Sequence, residues 1–152
     1  MKNIFNDIMH NYALVCAVMG WLIASLAKVT VILIKEKRFD FSKMYASGGM
    51  PSSHSATVSA LASAVAVTDG IGSAMFAITF IFAFIVMYDA TGVRRAAGEQ
   101  AKILNQLVDN LNEKKPELFK KNLKEFIGHT PLEVIVGAAI GILIVVAMPY
   151  VG

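Results

Sequence analysis

His129 and Glu133 stand four residues apart in Gly128-His129-Thr130-Pro131-Leu132-Glu133-Val134, a spacing at which the carboxylate can reach and orient the imidazole. A carboxylate held on one ring nitrogen fixes the tautomer and leaves the other nitrogen as a nucleophile or base. The same residues carry a competing reading. Thr130-x-x-Glu133 is also a capping box, in which Glu133 folds back on the backbone of Thr130. A second histidine, His54, closes Gly48-Gly49-Met50-Pro51-Ser52-Ser53-His54. There the glycines permit a tight backbone approach, Pro51 suits the first position of a helix, and Ser52 and Ser53 offer hydroxyls near free N–H groups. A helix start of this design binds anions through its unpaired donors and the positive end of its dipole, with His54 beside the anion. The plainer alternative is a capped helix start carrying an interfacial histidine.

Two further groups bear charge where it matters. Lys28 interrupts an apolar run. An ammonium within a span costs ~2.5–3.5 kcal/mol on insertion scales and commonly faces a polar cavity, although a lysine this near a helix end can also snorkel to the interface. Asp89-Ala90-Thr91-Gly92-Val93-Arg94-Arg95 offers adjacent arginines that can grip a phosphate by paired hydrogen bonds or anchor a span at the headgroup level. Asp89 and Glu99 can share a metal, but ion pairing with Arg94, Arg95 or Lys102 is their commoner use. The lone Cys16 excludes an intrachain disulfide and reads as a small buried hydrophobe.

The elements that must position these groups are membrane helices. The chain is 56% hydrophobic and only 16% charged, against about 25% charged in soluble domains, and its mean hydropathy is +0.60. Its apolar residues lie in long runs, the pattern of bilayer-spanning helices. Nothing at the amino end reads as a cleaved signal. The expected fold is all-α: a single membrane domain over 1–152 with four transmembrane helices, about 12–34, 53–67, 73–88 and 131–150. The second span is rich in Ala, Ser and Val and belongs inside the bundle. The third, with Phe76, Phe80, Phe82 and Phe84, suits a lipid-facing position. In the fourth, Gly137 and Gly141 form a small-xxx-small pair, a surface on which a homodimer can close.

Between the third and fourth spans lies a polar segment, 89–129. Ala96, Ala97, Ala101, Ile103, Leu104, Leu107, Val108 and Leu111 recur there at helical intervals, so it begins as an amphipathic helix. Lys114-Lys115-Pro116 breaks it, and a second short helix is expected from Leu118 to Phe126. With four spans, this segment and the Lys35–Ser47 loop share one side and hold twelve of the fourteen Lys and Arg residues. The positive-inside rule then makes both cytoplasmic and turns both chain ends outward.

The order of these features resembles a known superfamily. Met50-Pro51-Ser52-Ser53-His54-Ser55-Ala56 is similar to the Pro-Ser-Gly-His motif of the type 2 phosphatidic acid phosphatases, whose relatives include bacterial acid phosphatases and vanadium-dependent haloperoxidases. The run from Gly128 to Gly137 resembles that superfamily's last motif, in which His, Pro, Asp, Val and Gly take the same spacing. Lys28 and Lys35 fall at the separation of its first motif, a lysine and an arginine with six residues between. A divergent branch of the superfamily carries Gly-Gly-Met-Pro-Ser-Ser-His together with Asp-Ala-x-Gly-Val-Arg-Arg, as this chain does. The chain departs from the common pattern at Ser53 for glycine, Glu133 for aspartate, Lys35-Glu36 for arginine-proline, and Leu123 where an arginine would fall. Arg94, Arg95, Lys121 or Lys124 can stand in for that last cation.

The resemblance implies roles. His129 would be the nucleophile forming a phosphohistidine, Glu133 its orienting partner, and His54 the general acid for the leaving alcohol. Lys28, Lys35 and the Ser52–His54 backbone would hold the phosphate oxygens, with Arg94 and Arg95 as further binding groups. The expected function is a membrane lipid-phosphate phosphatase, a phosphomonoesterase or pyrophosphatase, at the cytoplasmic face. No metal or other cofactor is required, and the expected partners are a phosphorylated lipid, membrane lipids and a second copy of the chain, with no nucleic acid. The alternative is a non-catalytic phosphate- or lipid-phosphate-binding or transport protein. A third reading is a structural membrane subunit whose polar helices dock a partner.

Overall fold

The computed structural model describes residues 3–37, 49–112 and 128–150. Among them the regular elements are helices: α1 (Ile4–Met9), α2 (Tyr12–Glu36), α3 (Ser53–Thr68), α4 (Ala74–Thr91), α5 (Val93–Asn112) and α6 (Pro131–Ala147). The loop at 38–48 and the expected helix from Leu118 to Phe126 fall outside the described residues. Short polar side chains set the helix starts. Asn11 accepts from Leu14 N at 3.0 Å, and Ser73 accepts from Phe76 N at 3.1 Å, each satisfying a donor that has no partner within its helix.

Among the described residues, two stretches are long and apolar enough to cross a membrane, Tyr12–Ile34 in α2 and Ala74–Val108 beginning with α4. The other apolar helix, α6, is shorter, and α3 is shorter still and packed in the centre. It is α3 that organises the bundle, packing most extensively on α6 and α2 and then on α4. Its small side chains make this possible: Ser55, Ala56, Ala60 and Ala64 are fully buried. Against them lie glycines from both neighbours. A Cβ on Gly20 of α2 would stand 2.9 Å from Ala56 O, and one on Gly137 or Gly141 of α6 would collide with Ser52 O or Ala56 O. The glycine pair of α6 therefore serves helix contact within the chain rather than offering a face to a second copy.

The candidate residues gather at one end of the bundle. Ser52 N donates to Glu133 O at 3.1 Å, so α3 and α6 start side by side and run parallel. Both are antiparallel to α2, whose Tyr12 hydroxyl donates to Val145 O at 3.3 Å near the far end of α6. His129 N donates to Ala90 O at 3.0 Å and fastens the entry of α6 to the end of α4. Both polar stretches of the sequence thus attach at the end where α3 and α6 begin.

Of the four phenylalanines expected to face outward from α4, Phe80, Phe82 and Phe84 are each more than half exposed, whereas Phe76 is partly buried. The helix runs further than the apolar pattern indicated, through Thr91, so Asp89 lies in its last turn. Gly92 separates it from the amphipathic α5.

Candidate functional site

Ser52 rather than Pro51 sets the start of α3. The Ser52 hydroxyl accepts from Ser55 N at 3.3 Å and from the Ser55 hydroxyl at 2.9 Å, which makes Ser52 the N-cap and leaves Pro51 ahead of the helix. The sequence expectation that Pro51 opens the helix is corrected on this point; an N-cap acceptor outcompetes a proline's fixed φ for the boundary. Ser52 and Ser53 are both buried, and the first-turn N–H groups of Ser53 and His54 have no partner within the helix. Gly49 carries a φ of 87°, a left-handed conformation open to glycine at little strain.

Under Gly49 passes the Lys28 side chain. Its Cγ and Cδ run 3.8 Å from the position a Gly49 Cβ would take, and the residue is 1% exposed. Lys28 therefore turns inward beneath the Gly49–His54 segment instead of snorkelling outward, and its charge interacts with that of Glu133. His54 sits exposed on the first turn of α3, within electrostatic reach of Arg94, His129 and Lys28.

His129 enters from the other direction. Its residue is 4% exposed, and its Nδ1 lies 3.2 Å from Glu133 Oε2. A carboxylate only accepts, so Nδ1 carries the proton and Nε2 keeps its lone pair. The capping box is present as well: Thr130 N donates to the same Oε2 at 3.0 Å, and Glu133 N donates to the Thr130 hydroxyl at 3.4 Å. The two readings that the sequence left open are thus compatible. His129 directly precedes the N-cap, so its ring and the Thr130 N–H converge on one oxygen.

Burial holds His129 below the ordinary histidine range; the Glu133 hydrogen bond pulls upward, and the Lys28 and Arg94 charges push further down. The ring is accordingly neutral at neutral pH, the state a nucleophile needs.

Arg94 is held by Asp89 at 2.5 Å and Arg95 by Glu99 at 3.2 Å, both exposed pairs. Asp89 and Glu99 are committed to these arginines, the second of the two uses open to them. Of the expected binding groups, the structure brings Lys28, Ser52, Ser53 and Arg94 to the end of the bundle that holds His54, His129 and Glu133. The Lys35 side chain, Lys121, Leu123 and Lys124 lie outside the described part.

Gly128 is a supporting residue that the motif reading missed. A Cβ there would stand 2.6 Å from Arg95 Cα and overlap Arg95 N. Only a glycine lets the chain pass against the first turn of α5 and deliver His129 to Ala90. The signal was a glycine directly before a candidate nucleophile. Ala90 was missed too, since its contribution is a carbonyl and any residue supplies one.

Over residues 9–144 the chain matches the family described as "Divergent PAP2 family". It is 42% identical, over 154 residues, to the uncharacterized membrane protein YuiD of Bacillus subtilis (strain 168), an alignment covering 95% of this chain and 98% of that one. No solved structure matches it.

Proposed function

The chain is a membrane protein of the divergent PAP2 family, and on that premise we propose that it is a lipid-phosphate phosphatase working through a phosphohistidine. The observation that carries the reading is the meeting of a buried His129–Glu133 pair, His54 and the buried Lys28 around the start of α3.

In this reaction His129 Nε2 attacks phosphorus as the bond to the lipid oxygen breaks, and His54 gives its proton to the leaving alkoxide. Water then attacks the phosphohistidine, His54 takes the water's proton, and inorganic phosphate leaves. Glu133 stabilises the ring as it gains positive character. Lys28, Lys35, the first-turn N–H groups of α3 and the arginines 94 and 95 would neutralise oxygens whose charge grows in the transition state. The helix start adds the positive end of its dipole.

Four helices crossing the bilayer, α2, α3, α4 and α6, with α5 and the polar loops in the cytoplasm, complete the proposal. The number of basic residues in the two sequence segments that leave the bundle at the site's end supports that orientation. A membrane-embedded site rimmed by cations suits an anionic head on an apolar tail. Purified in detergent, the protein should release phosphate from phosphatidic acid, phosphatidylglycerophosphate or a polyprenyl phosphate. Release must depend on both His54 and His129; release that survives loss of either, or none at all, overturns the enzyme reading.

One observation favours a second reading. Ser53, buried at the start of α3, stands where the superfamily has glycine and adds a hydroxyl beside the first-turn N–H groups, which suits an anion receptor as well as a catalyst. A receptor would bind phosphate or vanadate saturably, keep that binding after His129→Ala, and turn nothing over.

A further inference from the structure

Below the polar end, α4 does not close fully against the tightly packed α3 and α6. The three helices leave a cleft of about 430 Å³, within the ~300–1,000 Å³ typical of small-molecule sites. Its floor is made of small residues, among them Ala62, Ala66 and Ala138, and its rims of larger ones, among them Phe80, Phe84 and Ile142. Those three rim residues are about half exposed or more, so the cleft is open sideways at the surface that α4 and α6 turn to lipid.

The position of the cleft says what fills it. Its upper end is marked by Ser59, one helical turn beyond Ser55, and Met87, one turn before the Ala90 carbonyl that holds His129. Its lower end is marked by Val67 and Phe76. Eight residues of α3 separate Ser59 from Val67, about 12 Å at the helical rise. The cleft is therefore an apolar channel that starts one turn below the anion site and shares all three of its helices with it. Charge sits at the head and almost no polarity along the walls, where Ser59 and Ser63 are the exceptions.

We infer that this cleft binds the hydrocarbon tail of the lipid whose phosphate sits at His54 and His129, and that its depth sets the tail length the protein prefers. The inference rests on the phosphatase reading for the position of the head, and on the cleft itself for the tail. Tail binding along α3 would hold the phosphate against the helix start, so that apolar contacts remote from the reacting atoms contribute to turnover.

The test fills the lower half of the cleft. Ala66→Trp places an indole where a long tail would lie and leaves the polar end untouched. With dioleoyl phosphatidic acid in detergent, the variant should lose at least tenfold in kcat/KM. With dihexanoyl phosphatidic acid, whose tails end above Ala66, it should stay within twofold of the parent. Equal losses on both lipids, or none on either, would overturn the inference. Ser63→Leu is the milder variant should the tryptophan disturb folding.

Photolabelling separates this inference from the phosphatase reading, because it needs no turnover. A phosphatidic acid carrying a diazirine at its tail end should label α3, α4 and α6 at the lower end of the cleft. Dioleoyl phosphatidic acid should compete the label away, and dioleoyl phosphatidylcholine should not. Labels spread around the bundle, or competed equally by both lipids, mean ordinary boundary lipid and sink the proposal. A parent that is dimeric in detergent and becomes monomeric on Ala66→Trp would instead assign the cleft to a second copy. Labelling as described with no phosphate release would keep the tail site and discard the hydrolase.

Discussion

The two sides of α3 are built from the same small residues and used in opposite ways. Towards α2 and α6, alanines and serines meet Gly20, Gly137 and Gly141, and backbones come so close that no β-carbon fits between them. Towards α4, the same kind of surface meets aromatic and aliphatic side chains too large to follow it, and a cleft remains. What decides is the partner: glycine lets a small residue become a close contact, whereas phenylalanine turns it into the floor of a groove. The tight side carries the groups that must be held still, Lys28 on α2 and His129–Glu133 at the start of α6. The loose side is left for something that slides in.

Substitutions on the tight side should be the most damaging. Gly141→Leu drives a side chain into the Ala56 carbonyl and the Ala60 amide, and we expect a loss of ~3 kcal/mol or more, at the upper end of overpacking costs. A thermal melt in detergent would read this directly. An unchanged melting temperature would show that α3 and α6 are not so close. Gly128→Ala comes next. It leaves the bundle folded but shifts His129 away from its place, and a displacement of ~1 Å can cost about 10²-fold in rate.

Smaller effects test how the tight side tunes His129. Because its proton is held below the ordinary value of ~6.5, activity should persist to mildly acidic pH and fall only as the lowered value is crossed. Lys28→Met removes a cation that lowers it, so the acid limb should move to higher pH. Glu133→Gln removes the anion and hydrogen bond that raise it, and the limb should move lower. NMR titration of the His129 ring would follow both shifts without substrate, and movement in the same direction would contradict the arrangement. The smallest effect belongs to an exposed ion pair on α5. Glu99→Gln breaks an exposed contact with Arg95 and should change stability by less than about 1 kcal/mol.

How much of this was legible beforehand depends on what each residue's job is. Apolar run length gave α2, α4 and α6 within a few residues, since a helix in lipid must satisfy its own backbone. The central place of α3 followed from its composition. Spacing showed that Glu133 could reach His129 or the Thr130 backbone, but not that one oxygen serves both; that required knowing how the chain enters α6. The inward turn of Lys28 was equally hidden, because snorkelling and burial use the same residue at the same depth. The partner of Gly137 and Gly141 could not be read from α6 alone, for a small-xxx-small pair looks the same whether the facing helix belongs to its own chain or to another. The cleft was the least legible feature of all. It arises from a mismatch in size between α3 and α4, and no single residue announces it.

The central claim is that His129 becomes phosphorylated beside His54. Its most direct test is to mix the purified protein with phosphatidic acid labelled in the phosphate, quench within one turnover, and locate the label by mass spectrometry. The account predicts an acid-labile phosphoryl group on His129 that is absent from His129→Ala. Turnover without any such adduct, or a label that persists in His129→Ala, would contradict it.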